Sequence, residues 1–178
     1  MKGLTYIITA LLMILSTEAL IGQRCDYAKN EIDDFTGERV VFTKAERLAS
    51  NIITHVVLQV QGKSVNGSNQ FLFITSIPHT QFSISVGSEV FLKQEDGNLI
   101  KLIVEEDMTS KEVSILGAKS NTGTFSVTIP DDLKSQFLKS PIEKIRIPFE
   151  NAQSDLDLKK KKRKVFLNIL ACLHKANK

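Results

Sequence analysis

The stretch FSISVGSEVFLKQEDGNLIKLIVE, Phe82 to Glu105, decides the fold class. Phe82, Ile84 and Val86 alternate with Ser83 and Ser85, and an apolar side chain at every second position marks a strand with one buried face. Gly87 breaks that run. Val90 to Lys93 and Leu99 to Val104 then flank Glu95-Asp96-Gly97-Asn98, where an Asp-Gly step suits a tight turn because glycine reaches positive φ without steric cost. The reading is a succession of antiparallel strands joined by short turns.

Upstream, Ile52 to Gln61 is strand-like, with Ile53, His55 and Val57 on one face and Val56, Leu58 and Val60 on the other. Asn66-Gly67 is a hairpin signal. Gln70 to Ile77 returns with Phe71, Leu72, Phe73 and Ile74 in succession, a density that predicts burial on both faces, and Pro78 ends it. Lys44 to Ser50 fits either a helical turn or a strand. Residues 23–43 read as a polar, loosely structured leading segment, with a first strand starting at Val40 to Phe42. Asn30, Glu31, Asp33 and Asp34 lack the alternating spacing of a calcium loop.

Downstream, Lys111 to Leu116 is a short strand, Gly117 to Gly123 a loop of small residues, and Thr124 to Ile129 a strand with Phe125, Val127 and Ile129 on one face. Pro130 suits the first position of a short helix, to which Leu133, Phe137 and Leu138 give an apolar side before Pro141 stops it. Ile145 and Ile147 mark another strand, with Leu156 and Leu158 on its hairpin partner. From 160 to 176 the steps of four and three between Val165, Ile169, Cys172 and Ala176 predict an amphipathic helix. The expected fold is mainly β: an antiparallel β-sandwich or bent sheet of about seven to nine strands. A short helix near 131–139 and the C-terminal helix pack on it, in a single domain spanning 44–178.

Residues 1–22 read as a signal peptide. Lys2 gives a positive start, and Ile7 to Leu15 is an apolar run too short for a membrane span of about 20 residues. Cleavage is expected before Gln23, with Leu20 as the alternative. An uncleaved anchor would place Glu18 in the membrane, and Arg24 ahead of Cys25 argues against lipidation. The expected location is therefore periplasmic or extracellular. The remaining chain of about 156 residues is one ordinary domain, and the net charge of +3 is too mild to name a partner by itself.

CDYAKNEIDDFTGE, VGSEVFLKQEDGNLIKL and SPIEKIRIPFENAQSDLDL, followed by the basic helix, occur in an order that resembles a group of small exported proteins of Bacteroidetes bacteria. The resemblance implies an envelope or extracellular β-domain. It brings no known catalytic residues to carry over, and no cofactor or metal is expected.

The residues themselves point the same way. His55, His79 and His174 form no zinc spacing, and no nucleophile elbow, phosphate loop or dinucleotide turn is present. Catalysis is not expected, although a hydrolase without a recognisable motif is a weaker alternative. Asn66-Gly67-Ser68 fits a glycosylation sequon, but the hairpin already accounts for it. A non-catalytic binding or structural domain of the envelope is the leading expectation. Its partner would be an anionic envelope component or another envelope protein, with no nucleic acid.

The alternative rests on Lys159, Lys160, Lys161, Lys162, Arg163 and Lys164, a run that would bind polyanions or anionic lipid. Six successive residues circle a helix, so no face of it escapes the charge. Cations at a helix N-terminus are disfavoured by the dipole, with Asp155 and Asp157 expected to offset this. None of Lys160, Lys161, Lys162 and Arg163 is needed in the apolar stripe, so replacing them should leave the fold intact. Cys25 and Cys172 permit one disulfide. The competing reading is that Cys172 is a small buried hydrophobe within the stripe.

Overall fold

The computed structural model describes residues 25–50, 56–115 and 118–177. The expected signal peptide, residues 1–22, lies outside them, as do His55 and the start of the Ile52 strand.

The chain is mainly β, as its alternation requires. In order, the strands are β1 (Tyr27–Ile32), β2 (Arg39–Thr43), β3 (Glu46–Ser50), β4 (Val57–Val65), β5 (Ser68–Pro78), β6 (Ser83–Ile84) and β7 (Glu89–Gln94). They continue as β8 (Leu99–Ile103), β9 (Met108–Thr109), β10 (Lys111–Ile115), β11 (Ala118–Thr128), β12 (Ile142–Phe149) and β13 (Ala152–Asp157). Helix α1 (Asp131–Phe137) precedes β12, and α2 (Val165–Ala176) ends the described chain. Strands outnumber the sequence expectation because several are short segments.

The larger sheet runs β1-β2-β4-β5-β11-β10, and β3 also pairs with β4. β2 meets Lys63 to Val65, and β3 meets the Val57 end of the same strand. Lys44 to Ser50 is thus resolved as strand: β2 and β3 line one edge, interrupted at Lys44-Ala45. The smaller sheet runs β13-β12-β7-β8, and all pairings in both sheets are antiparallel. A bridge between Val104 and Val127 joins the end of β8 to β11, so the sheets curl toward each other.

Two turns behave as their residues dictate. Asn66 and Gly67 have φ of 48° and 85°, the paired positive values of a tight β4–β5 hairpin. Gly97 at φ 89° turns β7 into β8.

The core lies between the sheets and under α2. Leu58, Val60, Phe71, Phe73, Phe125 and Val127 face inward from the larger sheet, opposite Leu92, Leu102, Ile145 and Ile147, all buried. Burying each such side chain contributes about 1.5–3 kcal/mol. Phe166 of α2 meets Phe71 edge-on at 5.0 Å, and Phe137 of α1 meets Phe71 at 5.5 Å. The whole apolar stripe of α2 is buried, including Cys172. Cys172 is bonded to Cys25, with Cα atoms 5.5 Å apart, a normal separation for a disulfide. Tyr27 Oη also donates to Cys172 O at 2.9 Å, so β1 is held to the helix at its first residues.

Several expectations are corrected. Residues 23–43 are not a loose segment within their described part: β1 and β2 form an antiparallel hairpin with one register shift between Tyr27 and Lys29. The side chains of β1 are mostly exposed, so that strand carries no apolar period to read. The expected loop from Gly117 to Gly123 is strand in its described part, because β11 begins at Ala118, and Gly117 lies outside the described residues. Polar Ser, Asn and Thr side chains there sit on a paired strand, and Gly123 lets Met108 approach. Leu72 and Ile74 are half-buried, with only the Phe71 and Phe73 face sealed. Val86 is 56% exposed, because β6 stops at Ile84 and the Val86 N–H donates to Asp107 Oδ1 at 2.7 Å. Leu138 points to solvent one residue past the end of α1.

Candidate functional site

The basic run begins where β13 ends. Leu158 N–H donates to Glu143 O at 2.7 Å, which holds the strand end in place. Lys159 is extended, Lys160–Lys162 form one 3-10 turn, and Arg163 and Lys164 lead into α2. The six cations therefore do not share one regular helix; they fall on the tight turn and its flanks just before the apolar stripe starts.

The structure divides the six into two groups. Lys162 Nζ pairs with Glu46 Oε2 at 2.7 Å. Arg163 donates from Nε to Leu158 O at 3.1 Å and from Nη1 to Glu95 Oε1 at 2.9 Å, while its own carbonyl accepts from Ile142 N–H at 3.1 Å. These two side chains tie the turn to β3 and to the β7–β8 turn. Arg163 thus holds a structural tie outside the apolar stripe. Nothing local announces it, since Glu46 and Glu95 lie far away in the chain.

Lys159, Lys160, Lys161 and Lys164 are exposed, and among the described residues none of them has an ion-pair partner. No acidic residue lies in the first turn of α2. Asp155 and Asp157 do not supply the expected compensation, because they are engaged across the β12–β13 hairpin. Arg146 Nε donates to Asp155 Oδ1 at 2.6 Å, and Lys144 pairs with Asp157 at 3.3 Å. The Arg146 hydrogen bond holds the Asp155 carboxyl below the usual aspartate range, against a smaller opposing effect of burial. The result is a rigidly mounted turn carrying uncompensated positive charge. Beside it runs a groove of about 240 Å³ lined by Lys161, Lys162, Thr43, Lys44 and Glu46.

The other candidates do not converge on this turn. His79 stands in the left-handed region at φ 57°, exposed, just after β5. His174 is exposed near the end of α2. Asn66 of the sequon accepts the Arg39 N–H at 3.1 Å and donates to Glu38 Oε1 at 2.9 Å, a structural use of its amide. Among the described residues no group of three or more His, Cys, Asp or Glu side chains is arranged to hold a metal. No described helix is long and apolar enough to cross a membrane.

Compared with known proteins, the chain matches no family model, no curated relative and no solved structure.

Proposed function

We propose that the protein is an exported, non-catalytic binding domain of the cell envelope that contacts anionic lipid headgroups through its basic turn. The observation that carries this reading is the exposure of Lys159, Lys160, Lys161 and Lys164 without acidic partners among the described residues. A cation near an anionic membrane surface contributes about 1 kcal/mol of attraction. A cluster of four is then enough for a measurable, salt-sensitive association.

Export is supported by the signal-like residues 1–22 and by the resemblance to small exported Bacteroidetes proteins. The disulfide suits an oxidising compartment. The division of the basic run supports the contact: Lys162 and Arg163 fix the turn, and the remaining lysines are left for a ligand.

Sedimentation with vesicles tests the proposal. The protein should co-sediment with phosphatidylglycerol-containing vesicles and not with phosphatidylcholine vesicles. The variant Lys159→Gln/Lys160→Gln/Lys161→Gln/Lys164→Gln should remain in the supernatant with both. Equal partition of the native protein between the two vesicle types would refute the reading.

A further inference from the structure

One end of β5 is sealed by Phe137 and Phe166 against Phe71. At the other end, beyond Thr75, a cavity of about 430 Å³ opens among the strand-end loops. That size falls within the range of small-molecule sites, which favour barrel mouths and an apolar lining with a few polar groups. Ile77, Phe82, Phe149 and Ala152 supply the apolar lining, and Ser83 and Glu150 a polar side.

The lining is held in place before any ligand arrives. The Phe82 N–H donates to Ser110 Oγ at 2.9 Å, and the Ser110 N–H donates back to Phe82 O at 2.9 Å. The Phe82 and Phe149 rings meet edge-on with centroids 5.2 Å apart. Behind them Met108 lies so close to β11 that a Cβ on Gly123 would stand 2.2 Å from its sulfur. The loop that follows β5 starts with His79 in the left-handed region, a conformation that non-glycine residues seldom keep and that clusters at functional sites.

Glu150 is the one charged group on this lining. Its N–H donates to Ser83 O at 3.0 Å, and its carboxylate accepts the Ser83 hydroxyl. Among the described residues no cation pairs with it. An ionised carboxylate has about four acceptor sites, and one hydroxyl leaves most of them open on a lining that also includes Phe82 and Phe149. A cation placed there gains a charge-assisted hydrogen bond and attraction to the ring faces.

We infer that this cavity binds a small apolar molecule bearing one ammonium group. Its ring lies against Phe82 and Phe149, and its ammonium donates to the Glu150 carboxylate. This site is separate from the basic turn, takes a ligand of opposite charge and stands or falls independently of lipid binding.

Calorimetry and backbone NMR on the disulfide-bonded protein test it, with naphthylmethylamine as probe and naphthylacetate as an anion carrying the same ring. The amine should bind saturably, shift the amides of Ser83, Thr109, Glu150 and Ala152, and bind about tenfold or more tightly than the anion. Glu150→Gln keeps an acceptor for Ser83 and should weaken the amine about tenfold. Ala152→Trp, placed at the exposed rim, should abolish binding by filling the cavity. Absence of saturable binding, shifts elsewhere in the chain, equal affinity for amine and anion, or an unaffected Glu150→Gln variant would each overturn the inference.

Discussion

A Cβ added to Gly62 would stand 2.3 Å from Ile169 Cγ2 and 3.2 Å from Leu173 Cδ1. The absence of a side chain on β4 therefore sets how closely α2 lies on the larger sheet. Gly62→Ala forces the helix outward and is expected to cost about 1–3 kcal/mol, the usual range for overpacking a core. Ile169→Ala removes the obstructing methyl. The double variant should then be less destabilised than the sum of the two single ones, as read from urea denaturation midpoints at constant slope.

The Cys25–Cys172 bond closes a separation of 147 residues. In the chain-entropy view a loop of that length is worth up to about 5 kcal/mol. Cys25→Ser, which leaves the buried Cys172 packing in place, should lower the thermal midpoint by many degrees. It should also raise hydrogen exchange first in β1, because the covalent tie of that strand end to α2 is lost and the Tyr27 hydroxyl bond to Cys172 O is a much weaker one. Two free thiols in the unfolded, unreduced protein would contradict the bond.

Arg163 and the exposed lysines should separate cleanly in mutagenesis. Arg163→Gln loses the donations to Leu158 O and Glu95 and is expected to cost about 1–2 kcal/mol. Lys160 and Lys164 have no ion-pair partner among the described residues, so Lys160→Gln and Lys164→Gln should leave the denaturation midpoint unchanged. Equal stability of Arg163→Gln and the native protein would remove the structural role assigned to that guanidinium.

Acid should loosen the smaller sheet. Arg146 holds the Asp155 carboxyl below its ordinary value, and Lys93, chiefly through its hydrogen bond, does the same for Glu143. With folded values lowered, the unfolded chain binds more protons at acid pH. The contribution is thus complete above the ordinary carboxylate range near about 4 and is lost as pH falls through the folded values. Asp155→Asn should lower stability at neutral pH and narrow its difference from the native protein as the solution is acidified, measured by thermal melts across pH.

Where a period or a turn carried the information, the sequence was enough. The Asn66-Gly67 and Asp96-Gly97 turns, the Phe125 to Ile129 alternation and the α2 stripe depend on neighbouring residues alone. β1 was not legible, because an edge strand with exposed side chains obeys no apolar period; its pairing with β2 is a matter of backbone hydrogen bonds. β11 was misread at Gly123 because a glycine that admits Met108 resembles a loop glycine until the partner is known. The division of the basic run was hidden for the same reason. Glu46 and Glu95 reach Lys162 and Arg163 only after the fold brings them together, and the cavity at Phe82 and Phe149 also unites distant segments.

Lipid contact through the basic turn is tested most directly by retention on immobilised phosphatidylglycerol vesicles as a function of salt, comparing native protein with Lys159→Gln/Lys160→Gln/Lys161→Gln/Lys164→Gln. The account predicts that the native protein is retained at low salt and released as rising salt screens the lysines, and that the variant, equally stable and still disulfide-bonded, passes unretained. Retention of both proteins with the same salt dependence would contradict it.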